Sequence, residues 1–387
     1  MKNRSAKALL SATLILGAAF AAGTIPATGQ APGLTKEKIE AIEKLVSAER
    51  DEQKIPGLSV AIGVGGKIVF EQGFGLADLE NDVRATAATR YRTASIAKPM
   101  TAVAVMQLAA AGKLDLDADI RKYCPAFPEK KWPVTARQLL AHLGGVRHYN
   151  RPGEASGTEF YPSVAASLAL FKDEPLLHEP GTRYHYTTYG YTVLGCAIEG
   201  ASGESYEAIM ARSVFGPAGM TRTVIDSHQA VIANRSRGYS MLNDAAYRQL
   251  SDDLKKVLRP NEVYNAQLHD TSMKIPGGGL LSTSGDLVRF AFAAGDGKLL
   301  DSKWRELMWT RQRTTGGEDL PYGLGWGINV IDGGIRLIGH SGSQAGTSTF
   351  LAYARDRGVA VAVMCNRDGA SANRITLRLL EIMTREE

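Results

Sequence analysis

The chain has 387 residues, of which 44% are hydrophobic and 22% are charged, a balance typical of a folded enzyme rather than of a disordered or fibrous protein. The formal net charge of +5 falls to +2 when Lys2, Arg4 and Lys7, which lie in a leader-like segment, are not counted. No run of basic residues indicates a phosphate-binding stripe, so we expect no nucleic-acid partner.

The first residues have the three-part pattern of a targeting leader. A basic start over residues 2–7 is followed by an Ala-rich apolar stretch over residues 8–22 and by small residues around Pro26. This pattern predicts a signal peptide over residues 1–31 and a periplasmic or secreted mature protein. A mitochondrial presequence is the alternative because it is also basic and free of acidic residues, but its Arg-rich amphipathic pattern is missing. No later segment stays apolar over about 18 residues, so no membrane span is expected.

The cysteines and histidines show neither a disulfide pattern nor a ligand pattern. Cys124, Cys196 and Cys365 are odd in number and far apart, which argues against a disulfide framework, and the apolar runs around Cys196 and Cys365 indicate small core residues. The seven histidines form neither an H-x-H nor an H-E-x-x-H motif, and there is no Cys-x-x-Cys pair. We therefore expect no metal site.

Hydrophobic periodicity predicts the secondary structure in chain order. Residues 35–54 have helical spacing, and alternation on both sides of Gly65 and Gly66 predicts a hairpin over residues 57–75. Further helices are predicted over residues 100–111, 134–143 and 163–171, as two short helices over 189–210, near Thr283 and from Ala372. Further strands are predicted over residues 323–331, 335–339, 347–354 and 359–364.

This order of elements predicts a two-lobed domain over residues 34–387. Strands and a helix at each end of the chain indicate one sheet assembled from residues 34–94 and 276–387. The mainly helical block 95–275 is inserted between them as a second lobe. The fold class is therefore α/β, in the α+β sense, and the cleft between the lobes is the expected place for a substrate.

An S-x-x-K motif, from Ser95 to Lys98, lies where the first hairpin gives way to the helical block. Residues three apart share a helix face, so Lys98 can reach the Ser95 hydroxyl, and Ser95 lies at the positive end of the helix dipole. A serine hydroxyl becomes a good nucleophile only with a base, and an amine can be that base when burial lowers its pKa. The alternative is a surface Ser and Lys, since about one such motif is expected by chance in a chain of this length.

Tyr186 lies on a predicted turn just before the helix that begins near residue 189. A phenol at this place could transfer a proton between Lys98, Ser95 and a leaving group, as general acid–base catalysis requires. The alternative is that Tyr186 belongs to an aromatic cluster that only packs.

The predicted strand that begins at residue 335 ends in a polar segment formed by His340, Ser341, Gly342 and Ser343. The amide of Ser343, paired with that of Ser95, could form an oxyanion hole, while the His340 and Ser341 side chains contact the substrate. The alternative is a Gly-rich hairpin without a chemical role.

Taken in this order, the S-x-x-K, Tyr-x-x and His-Ser-Gly elements resemble the serine β-lactamase and penicillin-binding protein family. Flanking segments agree over nearly the whole mature chain, at residues 54–61, 112–116, 139–145 and 276–283. Within the family, the chain is most similar to the mitochondrial serine β-lactamase-like members and their bacterial relatives at residues 127–130, 142–149 and 186–191.

The resemblance implies a β-lactamase/transpeptidase-like fold, in which an antiparallel sheet is flanked by helices and carries an inserted all-helical lobe. It also implies an acyl-enzyme mechanism without a cofactor. By carry-over, Ser95 attacks a carbonyl, Lys98 and Tyr186 transfer protons, and His340 with Ser341 takes the place of a Lys-Thr or Lys-Ser pair.

Two positions depart from the family pattern. Thr188 stands where family β-lactamases usually carry Asn, and His340 replaces the more usual Lys, so that a positive charge at this place depends on pH. Efficient hydrolysis of penicillins is therefore less expected than peptidase, amidase or esterase activity.

The sequence thus predicts a serine hydrolase that acts through an acyl-enzyme on peptide, amide, ester or β-lactam bonds of a small-molecule or peptide substrate. The alternative is a penicillin-binding sensor or peptide-binding module without turnover, against which Lys98 and Tyr186 argue. The loops over residues 149–177 and 241–274 are the candidate walls of the cleft, and the oligomeric state is left open.

Overall fold

A computed structural model describes residues 34–151 and 153–385, so the predicted signal peptide over residues 1–31 lies outside the described residues. The strands are β1 (Gly57–Val64), β2 (Lys67–Asp78), β3 (Val83–Arg84), β4 (Tyr91–Arg92), β5 (Val224–Ile225), β6 (Tyr239–Met241), β7 (Val263–Asn265), β8 (Leu280–Ser282), β9 (Gly327–Ile331), β10 (Ile335–Gln344), β11 (Thr347–Ala354) and β12 (Val359–Cys365). The α-helices are α1 (Lys36–Glu52), α2 (Ala97–Ala110), α3 (Ala136–Leu140), α4 (Val164–Ser167), α5 (Tyr189–Ser202), α6 (Tyr206–Ile209), α7 (Gly216–Ala218), α8 (Asp244–Arg248), α9 (Asp252–Val257), α10 (Ile275–Gly278), α11 (Ser284–Gly295), α12 (Ser302–Met308) and α13 (Ala372–Thr384).

The main sheet has seven strands in the order β3-β2-β1-β12-β11-β10-β9. Every neighbouring pair is antiparallel, and the two ends of the chain meet in the middle, where β1 pairs with β12 and Leu58 lies opposite Cys365. This confirms the predicted sheet that is assembled from both chain ends.

The hairpin β1–β2 forms where alternation and glycine predict it. Gly65 and Gly66 have φ values of +57° and +84°, a left-handed backbone that residues with a Cβ atom rarely adopt and that a tight turn between right-twisted strands requires. The helix α1, which precedes the hairpin, is capped by Thr35, whose side chain accepts a hydrogen bond from the Lys38 amide and so satisfies one of the free N–H groups at the helix end.

The two faces of the sheet pack against different helices. In β12, Val359, Val361 and Val363 belong to the core under α1 and α13, whereas Ala360 and Ala362 belong to the core on the opposite face, where α11 packs on β12 and β1. Side chains of a strand alternate between faces, and the small residues on the α11 face let this helix lie close to the sheet. The sheet is therefore buried on both sides.

The block between β4 and α10 is mainly helical and contains α2 to α9 together with the short strands β5, β6 and β7. The predicted helices of this block are present, and their ends differ from the prediction by a few residues. In the part of the chain that the structure describes, no helix combines the length and the apolar character that a membrane span needs.

Cys124 and Cys196 form a disulfide bond, with Cα atoms 5.4 Å apart. The prediction that no disulfide framework exists, and that Cys196 is a plain core residue, is therefore wrong. The reason is tertiary packing: α5 crosses the segment before Cys124 so closely that a Cβ atom on Gly200 would lie 1.8 Å from the carbonyl oxygen of Tyr123. Cys365 is free and buried, as predicted.

We expect the Cys124→Ala/Cys196→Ala double variant to lose about 2–4 kcal/mol of unfolding free energy, because the bond closes a long loop and restricts the unfolded chain. Guanidinium unfolding curves measure this loss. Dithiothreitol should shift the wild-type midpoint and leave that of the double variant unchanged. Equal midpoints for the wild type and the double variant would show that the bond does not stabilise the protein.

Candidate active site

Ser95 lies in a 3₁₀ helix, Ala94–Ile96, that leads directly into α2. It lines a cleft of about 470 Å³, whose walls also include Tyr186 from the inserted block and His340 and Ser343 from β10. Tyr149 and Ala155 of the same cleft come from the loop over residues 149–177, which the sequence predicted as a wall. The structure thus brings the predicted elements together in one cleft.

Lys98 has no exposed surface and its amine contacts three oxygen atoms. Its Nζ lies 3.0 Å from Ser95 Oγ, 3.2 Å from Thr188 Oγ1 and 2.8 Å from the carbonyl oxygen of Gly277. Burial, helped by the positive charge of Lys274, holds the pKa of Lys98 well below its usual value of 10.5. A neutral amine has two N–H groups, which can donate hydrogen bonds to the Gly277 carbonyl and to the Thr188 hydroxyl. Its one lone pair can then receive the Ser95 proton.

Tyr186 is half-buried beside Ser95 and hydrogen-bonds to its side chain. Burial raises the pKa of Tyr186 above its usual value of 10, so the phenol stays protonated at neutral pH and is a proton donor. The Lys98 Nζ atom lies 4.8 Å from the centroid of the Tyr186 ring. The three groups that the sequence proposed for proton transfer are therefore in mutual contact.

Two histidines hold the turn that carries Tyr186 and Thr188. His142 Nδ1 accepts a hydrogen bond from the Thr187 amide at 3.1 Å, and His148 Nδ1 accepts one from the Thr188 amide at 3.2 Å. The His142 ring also packs on the Tyr186 ring, with centroids 4.2 Å apart. These contacts fix the Tyr186 side chain relative to Ser95.

His340 has both ring nitrogens engaged within the protein. Nδ1 lies 2.6 Å from the carbonyl oxygen of Ser341, which can only accept, so Nδ1 carries the proton. Nε2 lies 2.8 Å from the Tyr322 hydroxyl, which can donate to it. Burial, together with the nearby Lys98, lowers the pKa of His340 to about 3. His340 is therefore a neutral side chain, and it presents no free N–H group to a substrate.

Strand β10 passes the nucleophile at close range. A Cβ atom on Gly342 would lie 2.3 Å from the carbonyl oxygen of Thr93 and 3.1 Å from Ala94 Cβ. Strand β9 pairs with β10 only as far as Gly339, so the segment from His340 onward has no strand neighbour on that side. Ser341 and Ser343 of this segment are exposed.

Sequence reasoning gave no chemical role to three groups of the site, although Lys274 ends the loop 241–274 that was predicted as a wall of the cleft. They are Lys274, which lines the cleft, the Gly277 carbonyl, which accepts from Lys98, and Tyr322, which contacts His340. Lys274 lies two residues before the Pro-Gly-Gly-Gly run of residues 276–279, and Gly277 lies within this run, which begins one of the segments that resemble the family. The available signal was a lysine between two apolar residues, Met273 and Ile275, just before that run.

The site offers no evident metal position. Within residues 34–151 and 153–385, no three His, Cys, Asp or Glu side chains are grouped so that they could hold a metal ion.

Known proteins are similar to this chain in sequence or in fold. The chain is 28% identical to the mitochondrial serine beta-lactamase-like protein LACTB of Homo sapiens, over 88% of this chain and 79% of that protein. The octameric penicillin-binding protein homologue from Pyrococcus abyssi is 26% identical and superposes with a TM-score of 0.74, over 89% of this chain and 77% of that one. A D-amino acid amidase from Ochrobactrum anthropi SV3, 23% identical, shares the fold with a TM-score of 0.75, over 89% of this chain and 98% of that one.

The relatives correct one prediction. The human, mouse and bovine serine beta-lactamase-like proteins are all named as mitochondrial, which contradicts the predicted periplasmic or secreted location. The physical reason is that a basic leader without acidic residues is common to secretory signals and mitochondrial presequences. The missing Arg-rich pattern was too weak a criterion to separate the two.

The family assignment rests on most of the chain. The model of the beta-lactamase family matches residues 42–382, a range that includes every cleft residue described above. The S-x-x-K serine and lysine, the tyrosine and the strand β10 all lie in the matched range and converge on one cleft. The chain belongs to the beta-lactamase family.

Proposed function

We propose that this protein is a serine hydrolase that cleaves peptide, amide, ester or β-lactam bonds through an acyl-enzyme on Ser95. The observation that carries the proposal is the contact between the Ser95 hydroxyl and the fully buried Lys98 amine, at 3.0 Å. A surface Ser–Lys pair would leave the lysine charged and unable to accept a proton.

In the first step, the lone pair of Lys98 receives the Ser95 proton while Ser95 Oγ forms a bond to the substrate carbonyl carbon. The carbonyl π electrons move to the oxygen and give a tetrahedral intermediate. Tyr186, which keeps its proton at neutral pH, gives it to the leaving group as the bond to that group breaks. The proton on Lys98 then returns to Tyr186, and a water molecule releases the acyl group by the reverse transfers.

The negative oxygen of the tetrahedral intermediate needs hydrogen-bond donors, and the backbone amides of Ser95 and Ser343 are the candidates. The close approach of β10 to the segment before Ser95, which only a glycine at position 342 allows, supports this assignment. The Thr349 hydroxyl adds a bond of 3.1 Å to the Thr93 carbonyl and so ties the sheet to the nucleophile segment.

At Thr188 and His340 the cleft lacks two groups that family β-lactamases usually offer to penicillins. Thr188 supplies one hydroxyl to Lys98 and has no amide group for a substrate, and His340 is neutral with both nitrogens engaged. These are the two positions that depart from the family β-lactamases. An amidase, peptidase or esterase needs neither group.

The direct test is intact-protein mass spectrometry after brief exposure to 4-nitrophenyl butyrate and to a chromogenic cephalosporin. We expect a transient adduct of the acyl mass and release of product from the wild type, and neither from Ser95→Ala, because that change removes the proposed nucleophile. Ser302→Ala, a change at an exposed serine outside the cleft, is the matched control and should keep the adduct. An adduct on Ser95→Ala at the wild-type rate would exclude Ser95 as nucleophile, and a wild-type adduct without turnover would indicate a sensor.

The acylation rate should rise with pH. Lys98 accepts a proton only when neutral, and its pKa is lowered by burial, so kcat/KM for the uncharged ester should increase through a midpoint well below 10.5. The pKa of His148 is lowered to about 4 and that of His340 to about 3, so neither histidine contributes above pH 6. In Lys98→Arg the base stays protonated, and we expect a loss of at least about a thousandfold. A wild-type rate that falls as pH rises from 6 to 9 would contradict this role.

The Gly342→Ala variant should slow acylation by about tenfold or more while the protein stays folded. The new methyl group would meet the Thr93 carbonyl at 2.3 Å, so strand and nucleophile segment must move apart and the two amides lose their alignment. The acylation rate from mass spectrometry and the melting temperature are measured together. Val330→Ala, a change at an exposed position of β9, is the control. Equal acylation rates in the wild type and both variants would show that β10 does not contribute to the oxyanion hole.

A further inference from the structure

A second buried lysine, Lys274, lines the same cleft as Ser95. It ends the 3₁₀ helix Ser272–Lys274, just before α10, and is only 3% exposed. Removing an ammonium group from water is costly unless other groups compensate for the lost hydration. The contacts of Lys274 therefore decide whether its charge is already satisfied within the protein.

The contacts of Lys274 leave some N–H groups of its ammonium without a hydrogen-bond acceptor. Its Nζ donates to the carbonyl oxygen of Ala155 at 3.2 Å and lies 5.7 Å from the centroid of the Tyr149 ring. No carboxylate of the described residues lies within 4.0 Å of this Nζ. An ammonium has three N–H donors, so donors remain for a group in the cleft. Lys98, by contrast, contacts three oxygen atoms.

Lys274 is also the source of positive charge in the cleft. No Asp or Glu is among the described residues that line it, and burial lowers the pKa of His148 to about 4 and that of His340 to about 3. Burial and the nearby Arg92 lower the pKa of Lys274 only to about 8, so most of it is charged at pH 7. The charge of Asp226 raises the pKa of Lys274 in part, but this carboxylate is paired with Arg92 and Arg235. The cleft therefore combines an uncharged base with a cation that no carboxylate of the described residues contacts.

We propose that Lys274 binds a carboxylate of the substrate and makes the enzyme select acyl compounds that carry a negative charge. This inference rests on the proposed hydrolase function, because it assigns the substrate class of the same cleft. The carboxylate would replace the missing counter-ion and accept the free N–H groups, a charge-assisted contact that is strong in a site shielded from water. His340 does not compete for it, since both of its nitrogens are engaged.

The test compares two 4-nitrophenyl esters of adipic acid, one with a free carboxylate at the far end and one in which this carboxyl group is a methyl ester. We expect wild-type kcat/KM at pH 7 to be at least about tenfold higher for the anionic ester, a modest demand on a partly buried ion pair. In Lys274→Met the ratio should fall to near one, mainly through a higher KM. Lys274→Arg should retain a preference for the anion, and Lys113→Met, which removes an exposed lysine outside the cleft, should not change the ratio.

Two outcomes would overturn the proposal. One is a wild-type enzyme that prefers the neutral ester, a result that needs no variant and so does not depend on the folding of Lys274→Met. The other is an unchanged ratio in a folded Lys274→Met protein, with folding checked by circular dichroism.

A binding measurement separates this inference from the hydrolase function. If the wild type cleaves neither ester, the proposed function fails, and calorimetric titration of adipic acid monoamide into Ser95→Ala then decides on Lys274. Binding that weakens at least about tenfold in Ser95→Ala/Lys274→Met supports the carboxylate site, since a tenfold change is that expected for one charged partner. Absent or unchanged binding overturns it.

Discussion

The burial of one amine beside one hydroxyl is the constraint on which the rest of the site depends. Lys98 can accept a proton from Ser95 only if it is neutral, and it is neutral only because the protein removes it from water. The two N–H groups of the neutral amine still need acceptors, and these come from Thr188, before α5, and from Gly277, in α10. Three separate parts of the chain must therefore meet around a single nitrogen atom.

The fold provides this meeting by close backbone approach. A Cβ atom on Gly277 would lie 2.6 Å from the Thr188 side chain, and one on Gly342 would meet the carbonyl oxygen of Thr93. Neither glycine has a left-handed backbone, so they are needed for space and not for conformation. The sheet, with strands from both chain ends, is rigid enough to hold β10 against the nucleophile segment, because it is packed on both faces.

Much of this arrangement could be predicted from the sequence, because it is encoded in local spacing. The alternation around Gly65 and Gly66 predicts the hairpin, and the three-residue separation of Ser95 and Lys98 predicts their contact, which the structure has at 3.0 Å. The disulfide was missed because Cys124 and Cys196 are 72 residues apart and only the packing of α5 brings them together. Contacts of this kind depend on tertiary structure and leave no local pattern.

The position of His340 shows why family resemblance alone does not give the substrate. A lysine at this place would put a charge on β10, whereas here Tyr322 and the Ser341 carbonyl fix a neutral imidazole. The charge of the cleft comes instead from Lys274, on the segment that leads into α10. A charged substrate orients by the strongest local field, so an anionic group would lie toward Lys274 and not toward β10.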